Sequence, residues 1–250
     1  MLDEMKIFLN SLLKWFIVLL ILDMFFFALG PHTLTLWGRA VSVPWPTDHS
    51  FTAQFFTMMQ RDIVPHGVEV IVTGPFDAFL LEMKIAFFLA FVCAFPLLLW
   101  SVLRYLAPAL KSREKSAIYK TVIPSSALFI GGCVFAYYFV IPATVRIMYS
   151  YTTTIAVRPF FDSDNFVSLI FMLMGVTGLM FLMPVVMVLT SYFGIIKPAV
   201  WKKYWRHAVF TFILLTAVIT PDGTGITMIM LTVPLCILYI GGMVVASRVV

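Results

Sequence analysis

Residues 79–105 read FLLEMKIAFFLAFVCAFPLLLWSVLRY. Between Lys84 and Arg104 no side chain is charged. The run exceeds the roughly 20 apolar residues that a helix needs to cross a bilayer core. The whole chain shares this character. Of its 250 residues 62% are hydrophobic and 12% charged, and the mean hydropathy is +1.01. A soluble domain carries about 25% charged residues and about 45–50% apolar ones. The composition excludes a soluble enzyme, a disordered chain and a nucleic-acid-binding module. The net charge of +5 is then a matter of membrane topology.

Working outward, five further apolar runs appear, at about residues 8–29, 117–148, 166–193, 208–220 and 226–246. With residues 79–105 they predict an all-α polytopic protein of six transmembrane helices in a single domain, residues 1–250. The first run could be a secretory signal, because Ala28-Leu29-Gly30 loosely resembles a cleavage site. Its head, Asp3-Glu4-Met5-Lys6, lacks net positive charge, and Pro31 follows the site directly, so retention is expected. The run at 208–220 has 13 residues. At 1.5 Å per residue it covers about 20 Å of a core of roughly 30 Å. The last hairpin should therefore be short, or should thin the bilayer around it.

Residues 30–74 form a polar loop containing Pro31, Pro44, Pro46 and Pro65. Within it, residues 51–60 place apolar side chains at helical spacing, which predicts an amphipathic segment on the membrane surface or capping the bundle. Cys93, Cys133 and Cys236 lie inside apolar runs without metal-ligand spacing and read as packing thiols. No metal site or cofactor is expected.

The basic residues set the orientation. On one side of six spans fall Arg39, Arg61, Lys84, Arg146 and Arg158; the other twelve of the 17 Lys and Arg fall on the opposite side. The positive-inside rule places that basic side, with both termini, in the cytoplasm. Glu114 is the one acid in either internal cytoplasmic loop, and it stands between Arg113 and Lys115. It follows a short apolar collar, Leu106-Ala107-Pro108-Ala109-Leu110, that can hold the loop against the interface. A carboxylate fixed there suits a guanidinium, whose planar fork bonds both oxygens. The bland alternative is a solvated loop residue.

These features together resemble the TatC family, the polytopic receptor of the twin-arginine protein translocase. The collar with Glu114 matches the family's first cytoplasmic loop. Phe129, Gly132, Phe135, Tyr137 and Pro142 match its third-span pattern F-x-x-G-x-x-F-x-Y-x-x-x-x-P. Residues 181–185, including Pro184, resemble the fourth-span F-E-x-P-V. Thr220-Pro221-Asp222, Pro234 and Leu238-Tyr239 resemble the last hairpin, and Lys84 and Pro96 fall at family positions in the second span.

The resemblance implies six spans with cytoplasmic ends, short helices 5 and 6, and Glu114 binding the paired arginines of a signal peptide. Tyr105 and Leu110 would lie beside that site, with an interface-belt aromatic as the alternative for Tyr105. Glu4, in Glu4-Met5-Lys6, is the counterpart of a second family contact, with a flexible terminus as its alternative. Lys84, Pro96, Pro108, Gly132, Phe135, Tyr137, Pro142, Pro184, Asp222 and Pro234 would carry structural or translocation roles. The implied partners are signal peptides of exported folded proteins, single-span TatA- and TatB-like subunits, lipid, and further copies of the chain, with proton-motive force as the energy source. Two departures stand out: Leu182 and Ile240 occupy positions where the family carries glutamate. Either partner recognition uses packing at Leu182 and polar groups such as Thr177, or the chain is a divergent paralogue.

Asp23, inside the first run, calls for a partner, a water cavity or a place near the outer interface. Lys84 and Asp77 share a helix face and are expected to pair. Proline in or beside most spans, at Pro96, Pro124, Pro142, Pro184, Pro221 and Pro234, favours a cupped bundle.

Two other classes compete. A small-molecule secondary transporter would show repeated halves and broken midplane helices, whereas spans 1–3 and 4–6 here differ in length and pattern. An intramembrane enzyme would need a nucleophile and base or metal ligands within the bilayer, and neither G-x-S-x-G nor H-E-x-x-H occurs. No G-x-x-x-x-G-K-[ST] occurs either, so ATP is not expected to power this chain.

Overall fold

The computed structural model describes residues 2–36, 39–45, 50–65, 68–106, 112–154, 160–220 and 225–249. The chain is mostly helical. Among the described residues five stretches are long and apolar enough to cross a membrane: Leu9–Ala28, Asp77–Leu103, Thr121–Tyr151, Ser163–Tyr192 and Ile226–Arg248. A shorter apolar helix covers Trp205–Ile219. Large apolar side chains such as Met24, Ile123 and Val218 are more than 70% exposed. Such surface is tolerable only where hydrocarbon replaces water. The residues form two compact units.

The first unit comprises residues 1–101 and 159–168. Helix α1 (Leu2–Ala28) and helix α3 (Asp77–Leu106) run antiparallel. Three contacts fix their register. The Ser101 hydroxyl lies 3.4 Å from the Ser11 carbonyl, the Trp15 indole N–H donates to the Ala94 carbonyl at 3.1 Å, and Phe27 meets Phe79 edge to face. Each indole or hydroxyl that finds a carbonyl avoids an unsatisfied donor in hydrocarbon. Leu19, Ile85, Ala86, Ala90, Ala94 and Phe95 are buried in this unit.

Strands β1 (Gly30–Leu36) and β2 (Arg39–Trp45) form an antiparallel pair, Gly30 opposite Trp45 and Leu36 opposite Arg39. Helix α2 (Phe51–Ile63) follows. Its first turn is capped by Ser50, whose hydroxyl accepts from the Ala53 N–H at 3.2 Å. Phe51 stacks on Phe25 at 5.9 Å, which ties α2 to the end of α1. Strand β3 (Glu69–Ile71) pairs in parallel with β4 (Phe160–Asp162). These four strands are additions to the expected all-α fold.

The second unit comprises residues 102–158 and 169–250. Helix α4 (Ser112–Phe135) passes through a π-helical turn (Ala136–Val140) into α5 (Ile141–Thr154). Pro142 explains the widened turn. It has no N–H for the carbonyl four residues earlier, and its ring would crowd that carbonyl. Helix α6 (Ser163–Phe181) breaks at Leu182 before α7 (Met183–Tyr192) for the same reason, with Pro184 in the first turn of α7.

Gly194, at φ +69°, ends α7. The Gly194 N–H bonds the Ser191 carbonyl and the Ile195 N–H bonds the Thr190 carbonyl, both at 3.0 Å, a Schellman closure that a left-handed glycine allows. The chain then enters α8 (Pro198–Lys203), α9 (Trp205–Ile219) and α10 (Ile226–Val249). Met187, Phe212, Leu235 and Tyr239 form a buried cluster between α7, α9 and α10.

The final helix corrects one expectation. With 24 residues, α10 is about 36 Å long at the helical rise and is not short. Its helix continues through Ala246, Ser247 and Arg248. Of the two helices in the last hairpin, it is α9, with 15 residues or about 22 Å, that falls below the bilayer core.

Candidate functional site: the α3–α4 connection and the helices that hold it

Helix α3 ends at Leu106 and α4 begins at Ser112, so the two helices bracket the collar. Glu114 is the third residue of α4. A carboxylate in a first turn is favoured by the partial positive charge of the helix N-terminus, worth about 0.3–1 kcal/mol. Tyr105 falls in the last turn of α3 and Glu4 in the first turn of α1. The side chains of Tyr105, Glu114 and Glu4 lie outside the described residues, as do Pro108, Leu110 and Asp222 altogether.

The structural residues are better placed. Gly132 and Gly178 meet where α4 crosses α6. A Cβ on Gly132 would stand 2.8 Å from the Gly178 Cα and 2.9 Å from the Thr177 carbonyl oxygen. A Cβ on Gly178 would stand 2.8 Å from the Phe129 ring and 2.9 Å from the Cys133 sulfur. Phe135 packs on Phe181 with ring centres 5.7 Å apart, and Cys133 lies 3.5 Å from the Met174 carbonyl. The motif residues 129, 132 and 135 thus share one helix face, spent on α6. Tyr137 is buried, Pro142 half-buried.

The α7–α10 pair has a matching contact. A Cβ on Gly242 would lie 2.8 Å from the Pro184 Cα. Pro96 lies within α3 and Pro234 within α10, both half-buried.

Three expectations are corrected. Lys84 does not pair with Asp77. Its ammonium bonds Asp164 at 2.5 Å and lies 3.3 Å from the Ser168 hydroxyl. Seven residues on a helix rise about 10 Å, too far for direct contact, whereas Asp164 sits in the first turn of α6 opposite Lys84. Asp77 instead accepts from the Thr73 hydroxyl at 2.9 Å. Thr177, offered as a polar partner contact, is 1% exposed and packs within the α4–α6 crossing, so it cannot present its hydroxyl to another chain. Cys93, read as a packing thiol, is exposed on α3.

Leu182 is half-buried at the α6–α7 break, and Ile240 is 56% exposed. An apolar residue at 240 suits hydrocarbon. A glutamate there would carry an insertion cost of about 2.5–3.5 kcal/mol on the scale for central acids. Asp23 Oδ1 is buried and finds no hydrogen-bond partner among the described residues.

Other polar contacts escaped the sequence reading. The Thr216 and Thr232 hydroxyls bond each other at 3.0 Å between α9 and α10. The Tyr239 hydroxyl donates to the Trp201 carbonyl at 2.8 Å, and the Trp201 indole donates to Ser191 at 3.2 Å. Asp162 accepts from the Asn165 N–H at 3.3 Å and so caps α6. The signal available was an isolated Thr or Ser within an apolar run, which marks a polar group needing a partner. Among the described residues no group of three or more His, Cys, Asp or Glu could hold a metal ion.

Comparison with known proteins gives a consistent result. The family model described as Sec-independent protein translocase protein (TatC) matches residues 3–234. The Sec-independent protein translocase protein TatC of Cenarchaeum symbiosum (strain A) is 31% identical over 225 residues, 90% of this chain and 85% of that protein. The chloroplastic TATC protein of Pisum sativum is 25% identical over 193 residues, 77% of this chain. This chain spans about half of the pea protein's length (54%). A crystal structure of a twin arginine translocase receptor, TatC, superposes with a TM-score of 0.74 at 23% identity, covering 98% of this chain and 99% of that one. It shares the fold.

Proposed function

The chain belongs to the TatC family of Sec-independent protein translocase proteins, and from that premise we propose that it is the signal-peptide receptor of a twin-arginine translocase. It is a membrane transport component and not an enzyme. In this reading it sits in the cytoplasmic membrane as six helices with both termini in the cytoplasm. Glu114 docks the arginine pair of an exported protein's signal peptide, with Tyr105 and Leu110 beside it and Glu4 as a second contact. Single-span TatA- and TatB-like subunits assemble on the bundle, with Leu182 offering packing in place of charge. Further copies of the chain join the complex, and the proton-motive force drives export of folded cargo.

The observation that carries the reading is the placement of Glu114. It is the only acid between Glu82 and Asp162, it lies in the first turn of α4, and it stands four residues after the collar. Two adjacent guanidinium groups remain charged at any physiological pH and need a fixed acceptor. Charge-assisted hydrogen bonds of this kind contribute about 1.5–3 kcal/mol each. Pro108 belongs to the collar beside this site, while Pro96 and Pro234 within their helices and Asp222 in the α9–α10 connection take structural or translocation roles elsewhere in the chain.

A photo-crosslinker at Tyr105 or Leu110 tests the proposal. It should trap a twin-arginine signal peptide, less of one whose arginines are replaced by lysines, and none with Glu114→Gln. Equal labelling in all three cases overturns the assignment.

A further inference from the structure

At the end of α8, Pro198, Ala199, Lys202, Met243, Val244 and Ser247 line a cleft of about 390 Å³ between α8 and the last turns of α10. Its walls are built. The Tyr239–Trp201 hydrogen bond and the edge-on contact of their rings at 6.4 Å hold α8 against α10. The Schellman closure at Gly194 sets where α8 begins. Most of the lining is apolar, and its polar groups are the Lys202 ammonium and the Ser247 hydroxyl.

The surroundings are uniformly basic. Lys197, Lys202, Lys203, Arg206 and Arg248 are all exposed, and Asp222 is the only acid from residue 165 to residue 250. Lys203 lies over the Tyr204 ring at 5.6 Å and Arg206 over the Trp205 ring at 5.7 Å. Cations interleaved with Trp and Tyr at a helix end mark the headgroup level of a bilayer. Basic pockets between membrane helices at that level suit anionic headgroups.

We propose that this cleft binds one anionic phospholipid, its phosphate on Lys202 and the start of its acyl chain over Ala199, Met243 and Val244. The α10 wall, residues 243–247, is about one helical turn or 6 Å long. That length fits a single chain and is too short to seat several turns of a partner helix. The proposal rests on the cytoplasmic placement of the basic side, where the anionic leaflet lies.

The test uses the full chain, purified and delipidated in detergent, with dioleoylphosphatidylglycerol or dioleoylphosphatidylcholine titrated in and adducts counted by native mass spectrometry. Phosphatidylglycerol should bind about five-fold better, the worth of one lysine near a headgroup. Lys202→Gln should remove that preference, and Ala199→Trp should block both lipids. Lys197→Gln, the same charge change outside the cleft, should keep the preference. Equal binding of the two lipids, indifference to Lys202→Gln, or equal loss with Lys197→Gln overturns the proposal. So does binding of an acidic amphipathic peptide at Lys202 with no phosphatidylglycerol adduct, which would make a protein segment the occupant. Ser247→Cys in a chain whose Cys93, Cys133 and Cys236 are replaced by serine, labelled in cells by an impermeant maleimide, separates the premise. Labelling from outside defeats the orientation but leaves the detergent titration standing.

Discussion

Gly132 and Gly178 meet backbone to backbone, so that a Cβ on the first would lie 2.8 Å from the Cα of the second. Neither helix can move aside without disturbing Phe129, Cys133 and Phe181, which pack around the crossing. In a bilayer, where lipid tails are as apolar as leucine, such close approach is a principal source of helix association.

Gly132→Ala should therefore destabilise the protein by about 1–3 kcal/mol, the cost of overpacking a tight core. At its neighbour Gly131, a Cβ would meet nothing within 4 Å. Gly131→Ala should be neutral or stabilising by up to about 1 kcal/mol, through helix propensity alone. Unfolding of both variants in mixed micelles checks the contrast.

Lys84 and Asp164 are 43% and 33% exposed, so their ion pair is screened. Lys84→Ala should cost no more than about 1 kcal/mol, and the cost should shrink in high salt. Exchanging the charges, with Lys84→Asp and Asp164→Lys together, should recover most of what either single reversal loses. A double-mutant cycle at two salt concentrations measures this.

The Thr216–Thr232 pair lies inside the α9–α10 hairpin. Each hydroxyl also lies within reach of the carbonyl four residues back in its own helix, at 2.8 Å for Thr216 and 2.7 Å for Thr232. Because each carries one proton, one of the two donates to its own helix while the other donates across to its neighbour. Losing the bond between helices should cost about 0.6 kcal/mol, as for other hydrogen bonds between membrane helices. Thr216→Val and Thr232→Val should each show this loss, and the double variant should show less than their sum. Strict additivity would mean that the hydroxyls are not coupled.

Asp23 carries a buried oxygen with no partner among the described residues. Such an oxygen costs about 1–3 kcal/mol. Asp23→Leu should raise the thermal midpoint in detergent. A lower midpoint would mean that the carboxylate is satisfied within the chain, by a bound water or by a group outside the described residues.

Much of the helical framework was legible because membrane helices announce themselves by length and apolarity, and the 79–105 run is the clearest case. The loop charge that singles out Glu114 is read directly from the sequence. The strands at residues 30–45 were harder. Thr33 and Thr35 alternate with Leu34 and Leu36, a period-two pattern, yet Pro31 and Pro44 read as loop punctuation. The partner of Lys84 was beyond reach: Asp164 lies 80 residues away and is brought near only by the fold of the first unit. The burial of Thr177 was hidden for a similar reason, because nothing local says which helix face meets α4.

The widened turn at Ala136–Val140 has a consequence for how this helix can change over time. A π turn amounts to one residue inserted into an α-helix. Together with replacement of Pro142, removing a residue between Ala136 and Val140 would return the helix to ordinary winding while leaving Phe129 and Gly132 on the face that meets α6. Removing one at position 131 would swing every later side chain by about 100°. The segment before Pro142 is therefore the place where this span can absorb a deletion, and a length difference among related chains should fall there.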